Sequence, residues 1–560
     1  MLIFTLPAFA ETQMTEDQKR ELTSQAEFFR KETAARPKKE EVKTIIVTGE
    51  AKMPPPLVDG GPQFILKQVL FDGNHVLPDK ELQKLAVPYI GKKITFMDLR
   101  TLSETVTTYC RASGYSLNRA YFVPQKIAGG VVHINILEAK VGKILVQGNK
   151  YFSSKVYSQA ILLRKDRIFR YPDLEQSLYA LNQAADRSAA AFLVPTAKDD
   201  VFDLQLKVSE TSPIHAFYTF NNTGTKLTRR QRHNIELDHN NITGHADILS
   251  TTYSVAEEGA LAAASAIYIY PRQETGTSFS INSSIVKTRL VGSLKPDLIR
   301  GKSWSISPGI TQTFIQTPTQ SLEAYVGLDF KDSKTLVDSL RLNYDKMRIF
   351  RTGPRWSLRD KGGKTDISAD IHIGIPSFLG GLRAVDPKAT EPGSGGSFTY
   401  YTIDASRVQI LPLSCYFTLR ASAQWTDDIL TSSEQFRAGG ASSVRGYPES
   451  DSAGDSGYYA TAELNTPIFF MPKRRVPFAK ETWYEATRLV GFVDVAKTFL
   501  NNKIVEAAVR DRFLIGTGFG IRFNLGKNLS LRCDWGFPVG DPSTAGKRST
   551  QVHFSVRGGY

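Results

Sequence analysis

Gln435-Phe436-Arg437-Ala438-Gly439-Gly440-Ala441-Ser442-Ser443-Val444-Arg445-Gly446-Tyr447 decides how this chain is read. It sets a glycine-flanked arginine in a loop, ahead of segments that alternate apolar and polar residues up to Tyr560. In residues 529–537 the odd positions, Leu529, Leu531, Cys533, Trp535 and Phe537, are apolar, and the even ones are small or charged. Ile515, Phe519, Ile521, Phe523 and Leu525 face one way, with Gly516, Gly518, Gly520, Arg522 and Asn524 opposite. Val552, Phe554, Val556 and Tyr560 share a face in the last segment. Such dyads occur in soluble antiparallel sheets. Here they set charges against apolar residues from about Thr211 onward without helical interruption, the pattern of a transmembrane barrel with lipid outside and a polar lumen. At roughly 22 residues per strand and connection, this region predicts a 16-stranded barrel.

Composition narrows the alternatives. With 41% hydrophobic and 22% charged residues, the 560-residue chain fits neither wholesale disorder nor a bundle of membrane helices. No apolar run approaches the roughly 18 residues that a spanning helix needs. The net charge of +14 is scattered and comes with no basic–aromatic recognition module, so nucleic acid is not an expected partner. Cys110, Cys415 and Cys533 are far apart and make no metal spacing. His233, His239 and His245 are evenly spaced but have no carboxylate or thiol cluster beside them, and read as polar-face histidines of a hairpin. Residues 540–547 miss the phosphate-loop spacing by one, and Arg548 stands where Ser or Thr is needed. Neither a catalytic constellation, nor a metal site, nor a cofactor is predicted.

The amino-terminal part is organised differently. Residues 1–10 are apolar and end in Ala8-Phe9-Ala10, like the end of a secretory signal, although the basic start of such a signal is missing. Residues 16–36 suit a polar helix with a thin stripe of Leu22, Ala26 and Phe29, and Pro54-Pro55-Pro56 and Gly60-Gly61-Pro62 make an extended linker. An internal repeat follows, in which Leu70-Phe71-Asp72-Gly73-Asn74 recurs as Leu145-Val146-Gln147-Gly148-Asn149. Helices are predicted over 98–112 and 173–185. Val123-Pro124 and Val194-Pro195 precede the closing strands 132–136 and 202–206. The result is two small α+β domains ahead of the all-β region.

Two tandem repeats and a barrel carrying Val444-Arg445-Gly446-Tyr447 resemble the TpsB transporters of two-partner secretion, in the superfamily that includes the BamA barrel-assembly proteins. The repeats resemble POTRA domains, and Gly114-Tyr115 and Pro124-Gln125 fall where the first POTRA of that family has such pairs. Asn221-Asn222-Thr223-Gly224 is similar to its first barrel strand, Tyr270-Pro271 to a later hairpin end, and Glu463-Leu464 to the strand after the sixth extracellular loop. The resemblance implies a signal remnant at 1–10, a plug helix and linker at 11–63, POTRA domains at 64–139 and 140–210, and a barrel at 211–560. It implies an outer-membrane transporter with its POTRA domains in the periplasm. These would add an unfolded, extended TpsA-like exoprotein as a strand and pass it through the barrel, driven by its folding outside. Outer-membrane lipid, periplasmic chaperones and the barrel-assembly machinery are the further partners implied. The alternative is an outer-membrane protein insertase; a passive porin would leave the repeats without a purpose.

The wall motif of that family, Phe-x-Asp-x-Gly, reads here Phe492-Val493-Asp494-Val495-Ala496, so the backbone approach at Ala496 is expected to be looser. With Leu489, Val493 and Val495 toward lipid, Phe492 and Asp494 point into the lumen. An arginine on an inward-folded loop gains from a carboxylate there, and a bidentate pair fixes the loop's register. Asp494 is the expected partner of Arg445, with Glu463 and Asp534 as rivals.

Overall fold

The computed structural model describes residues 46–47 and 63–560, except 124, 185, 292–298, 338–339, 478, 502–510, 527 and 545–548. The expected signal remnant, plug helix and most of the linker lie outside the described residues. The described residues divide into two compact units, one ending at Ser212 and one running from Pro213 to Tyr560.

In the first unit each repeat is a strand, two helices and two strands. The first runs Gln68–Asp72, Asp79–Ala86, Phe96–Ala112, Arg119–Tyr121 and Val131–Leu137. The second runs Lys140–Gln147, Ser154–Ala160, Tyr171–Asn182, Arg187–Pro195 and Val201–Glu210. In both, the last strand lies in the middle, parallel to the first and antiparallel to the one before it. Ile46–Val47 adds a parallel strand beside Phe192 and Leu193 on the outer edge of the second sheet.

Sequence chemistry fixes these elements. Thr95 and Asp98 form a reciprocal capping box, which sets the start of Phe96–Ala112. Leu99, Leu102, Val106 and Cys110 then recur on one helical face and are buried against Leu66, Val69 and Ile134. Cys110 behaves as a small core hydrophobe, and burial pushes its thiol up to about 11. The repeated Gly-Asn pair has one job in both copies. Gly73 and Gly148 have φ of 78° and 89°, and a Cβ would lie 2.7 Å from the Ile136 carbonyl oxygen or 2.5 Å from that of Val208. The turn after each is held by a glutamate at the end of the closing strand. Glu138 accepts from the His75 amide, and Glu210 from the amides of Lys150, Tyr151 and Phe152.

Two sequence expectations need correction here. The second long helix ends at Asn182 rather than 185, and each repeat has a further short helix, Asp79–Ala86 or Ser154–Ala160.

In the second unit, 16 antiparallel strands from Ile214–Asn221 to Gln551–Gly559 close into a barrel. The first and last pair from Phe217–Gly559 to Asn221–Ser555. Asn222 carries this seam one step further through its side chain, accepting from the Phe554 amide and donating to the Val552 carbonyl. Away from the register shifts at residues 313–315 and 335–336, the described strand residues sort by parity. Ile235, Leu237, Ile281, Ile285, Ile306, Ile403, Val493 and Phe519 are exposed on the outer wall, whereas Asn234, Glu236, Asp329, Lys331, Asp494 and Asp534 are buried inside. Parity also corrects the histidine reading. His233 and His239 lie on the outer face with Ile235 and Leu237, and His233 meets the Tyr218 hydroxyl at 2.7 Å and the Phe220 ring at 5.0 Å.

Candidate functional site

The connection between strands Tyr416–Trp425 and Ser456–Pro467 folds into the barrel. It carries a short antiparallel hairpin, Phe436–Ala438 with Ser452–Gly454. Beyond the hairpin the chain turns through Gly439, Gly440 and Gly446, all with left-handed φ near 100°. Ser443 Oγ accepts from the Gly439 amide and Glu449 from the Ala441 amide, so the turn is fixed by its own side chains. Val444 and Tyr447 are buried with Phe436, Ala438, Ala496 and Leu514. The Tyr447 hydroxyl donates to the Asp541 carbonyl at 2.9 Å.

The loop reaches the wall because the wall has no side chains where they meet. A Cβ on Gly516 would lie 1.9 Å from the Arg445 carbonyl oxygen, and one on Gly536 2.3 Å from the Gly446 nitrogen. Gly446 itself has the Phe537 carbonyl carbon 2.9 Å from where its Cβ would stand. Strands Arg512–Leu525 and Leu529–Pro538 therefore make a glycine floor on which residues 445 and 446 rest. Ala496 takes the place of the motif's glycine, and its buried methyl packs with Val444 and Tyr447.

Arg445 is 1% exposed. Its Nη2 donates to Asp494 Oδ1 at 2.6 Å, and its Nε and backbone amide donate to Asp494 Oδ2 at 2.7 and 3.0 Å. Nη1 donates to Glu463 Oε1 and stands 3.6 Å from Asp534 Oδ2. The guanidinium lies over Phe492, 3.5 Å from its ring centroid, a cation–π contact in a site shielded from water. The structure thus brings together every residue expected from sequence: Val444, Arg445, Gly446 and Tyr447 on the loop, and Phe492, Asp494, Glu463 and Asp534 on the wall.

The carboxylates are not rivals. Asp494 takes the bidentate face of Arg445, Glu463 takes the remaining nitrogen, and Asp534 mainly serves two wall arginines. Arg522 Nη1 bonds Asp534 Oδ1, and Arg532 Nε bonds Asp534 Oδ2 at 2.7 Å. Arg522 and Arg532 sit directly opposite each other. Like charges in that position repel, and Asp534 and Glu463 separate them, with Arg420 a further 3.8 Å from Glu463. Arg420, Arg522 and Arg532 were missed as site residues. The opposed pair of inward arginines was the available signal, because such a pair needs an acid beside it.

Residues 202–482 match the family described as haemolysin secretion/activation protein ShlB/FhaC/HecB, and residues 64–139 match the ShlB-type POTRA domain. The heme/hemopexin transporter protein HuxB of Haemophilus influenzae strain 86-028NP is 25% identical over 413 residues, 72% of this chain and 72% of its own length. The outer membrane transporter CdiB of Dickeya dadantii strain 3937 is 24% identical over 422 residues, 74% of each. The solved structure of CdiB from Escherichia coli superposes with a TM-score of 0.76 over all of both chains, at 18% identity.

Proposed function

This chain belongs to the haemolysin secretion/activation family ShlB/FhaC/HecB, and from that premise we propose how its parts divide the work. It is an outer-membrane transporter, with POTRA domains in the periplasm, that secretes a partner protein through its barrel. The family match favours this over the insertase. We infer that the partner arrives unfolded and extended, kept so by periplasmic chaperones, and adds as a strand to a POTRA sheet edge. The outer edge of the second repeat accepts an added strand, Ile46–Val47 beside Phe192 and Leu193, which supports that mode. Residues 16–36 would plug the lumen until transport, and the barrel-assembly machinery would insert the chain.

The buried Arg445 site carries the reading that the sixth loop is a working part of the channel. A guanidinium shared by Asp494 and Glu463 and seated on glycines holds the loop inside the lumen at one depth. An exposed loop arginine needs neither a glycine floor nor two carboxylates. Deletion of residues 64–139 tests the division of labour. The truncated chain should form a heat-modifiable barrel but fail to capture an amino-terminal fragment of its exoprotein in pull-downs. Equal capture would put recognition elsewhere.

A further inference from the structure

On the outer wall the barrel places three lysines in a row. Lys287 of strand Thr277–Arg289 stands directly opposite Lys302 of strand Ile299–Gln316, and Lys302 directly opposite Lys334 of strand Gln320–Val337. All three are exposed. Arg289 and Arg300 are opposite each other in the next row. Neighbouring strands are about 4.8 Å apart, so the three ammonium groups share a patch about 10 Å wide. Like charges set directly opposite are destabilising. The acid close by does not relieve them: Asp332 bonds Arg348 Nη1 at 2.9 Å and accepts from the Tyr344 hydroxyl at 3.2 Å. Among the described residues no carboxylate forms an ion pair with Lys287, Lys302 or Lys334.

The height of the row says what meets it. Strand Thr277–Arg289 is the fifth of the barrel, so it runs outward from the periplasmic side and its end is external. Below Lys302 the outer face of its strand reads Trp304, Ile306, Pro308, Ile310, Gln312 and Phe314, apolar except for Gln312, which is hydrogen-bonded to Thr277. Ten residues separate Trp304 from Phe314. At about 3.4 Å per residue and a tilt near 40° they span about 26 Å, the height of the apolar band of an outer-membrane barrel. Trp304 sits where an aromatic girdle marks the membrane interface. Lys302 is the next outward-facing residue above it, level with the headgroups of the outer leaflet.

We propose that Lys287, Lys302 and Lys334 form a binding site for the phosphate groups of outer-leaflet lipopolysaccharide, whose acyl chains continue down the wall past Trp304 and Ile306. Phosphate supplies the negative charge that no carboxylate among the described residues brings to the row. The site goes beyond secretion of the partner, and it holds the barrel to one leaflet of the membrane.

The test uses the full chain in detergent with fluorescent bis-phosphorylated lipid A as probe, and dephosphorylated lipid A, phosphatidylglycerol and inorganic phosphate as the other arms. The native chain should bind bis-phosphorylated lipid A at least tenfold more tightly than any of these. The triple variant Lys287→Gln/Lys302→Gln/Lys334→Gln should lose that preference, and the triple Lys→Arg variant should keep it. Equal binding by the glutamine variant, or equal binding of phosphatidylglycerol by the native chain, overturns the proposal. Lys302→Glu is an independent check, because it places an acid between two lysines. It should raise the thermal midpoint in lipopolysaccharide-free detergent while weakening lipid A binding, and a lowered midpoint or unchanged binding counts against the site.

Discussion

Asp494 holds Arg445 at three points, two on the guanidinium and one on the backbone amide, at 2.6, 2.7 and 3.0 Å. One carboxylate thus fixes both the side chain and the main chain of the loop. A lysine could satisfy the charge but not the fork.

Arg445→Ala should reduce secretion at least tenfold while the barrel still inserts. Removing one partner of a desolvated pair costs about 3–5 kcal/mol, and less where the lumen is wet. Arg445→Lys should give an intermediate defect. Asp494→Ala should give a similar but milder defect, because Glu463 still pairs with Arg445, and the double variant should fall short of the sum of the two, since the Arg445–Asp494 contacts are lost in both. Secretion measured against protein abundance in the outer membrane checks this, and normal export by Arg445→Ala would refute the role of the loop.

The glycine floor makes a second prediction with an internal control. Gly516→Ala places a methyl 1.9 Å from the Arg445 carbonyl oxygen, against backbone that cannot rotate away. Gly491→Ala, on strand Thr487–Phe499, meets nothing within 4 Å. The first should displace the loop, read as new protease cleavage within residues 439–447 and altered single-channel conductance. The second should be silent. Identical proteolysis of the two variants would mean that the loop does not depend on close approach at Gly516.

How much of this was legible depended on range. Period-two alternation is imposed by lipid, so the last strands and the inward face of Phe492 and Asp494 could be read residue by residue, while the count of 16 came from the length of the region. The sharing of Arg445 between Asp494 and Glu463 could not. It depends on which residues of three strands come level and on how deep the loop sits, and both are set by register across the sheet. The short helix Asp79–Ala86 escaped because its eight residues fall short of the roughly 11–18-residue window in which helical periodicity is read. The face of His233 and His239 was misread because histidine is polar by type. At the ends of a membrane strand it can stand with aromatic residues on the lipid side, as His233 does with Tyr218 and Phe220.

The turn after the second Gly-Asn pair should be acid-sensitive. Burial alone would raise the Glu210 carboxyl. The Tyr157 hydroxyl and the amides of Tyr151, Lys150 and Phe152 outweigh it and hold the group below its ordinary value. Burial and the same contact push the Tyr157 phenol up. A carboxylate lowered in the folded state contributes stability that is complete above its unfolded pKa of about 4.3 and is lost as pH falls through the lower folded value. Amide exchange at residues 150–152 should therefore remain protected above the ordinary carboxylate range and open as pH falls below it. Glu210→Gln should show faster exchange at neutral pH and no such transition. Persistent protection in the variant would show that the turn does not rely on the carboxylate.

Deleting residues 16–36 should raise pore conductance in planar bilayers without stopping secretion. The segment is charged nearly all round, with only Leu22, Ala26 and Phe29 as an apolar stripe, which suits a polar lumen better than an apolar core. The barrel offers such a lumen, lined by paired charges such as Lys331 with Glu434 and Arg557 with Glu236. Pro54-Pro55-Pro56 and the glycines after them make a tether of about 3 Å per residue when extended, long enough to let the segment leave. A helix inside the barrel blocks ions and a tail outside it does not, so conductance separates the two. Raised conductance with secretion retained identifies a plug that must leave before transport. Unchanged conductance would make the segment a tail, and the plug assignment would have to be withdrawn.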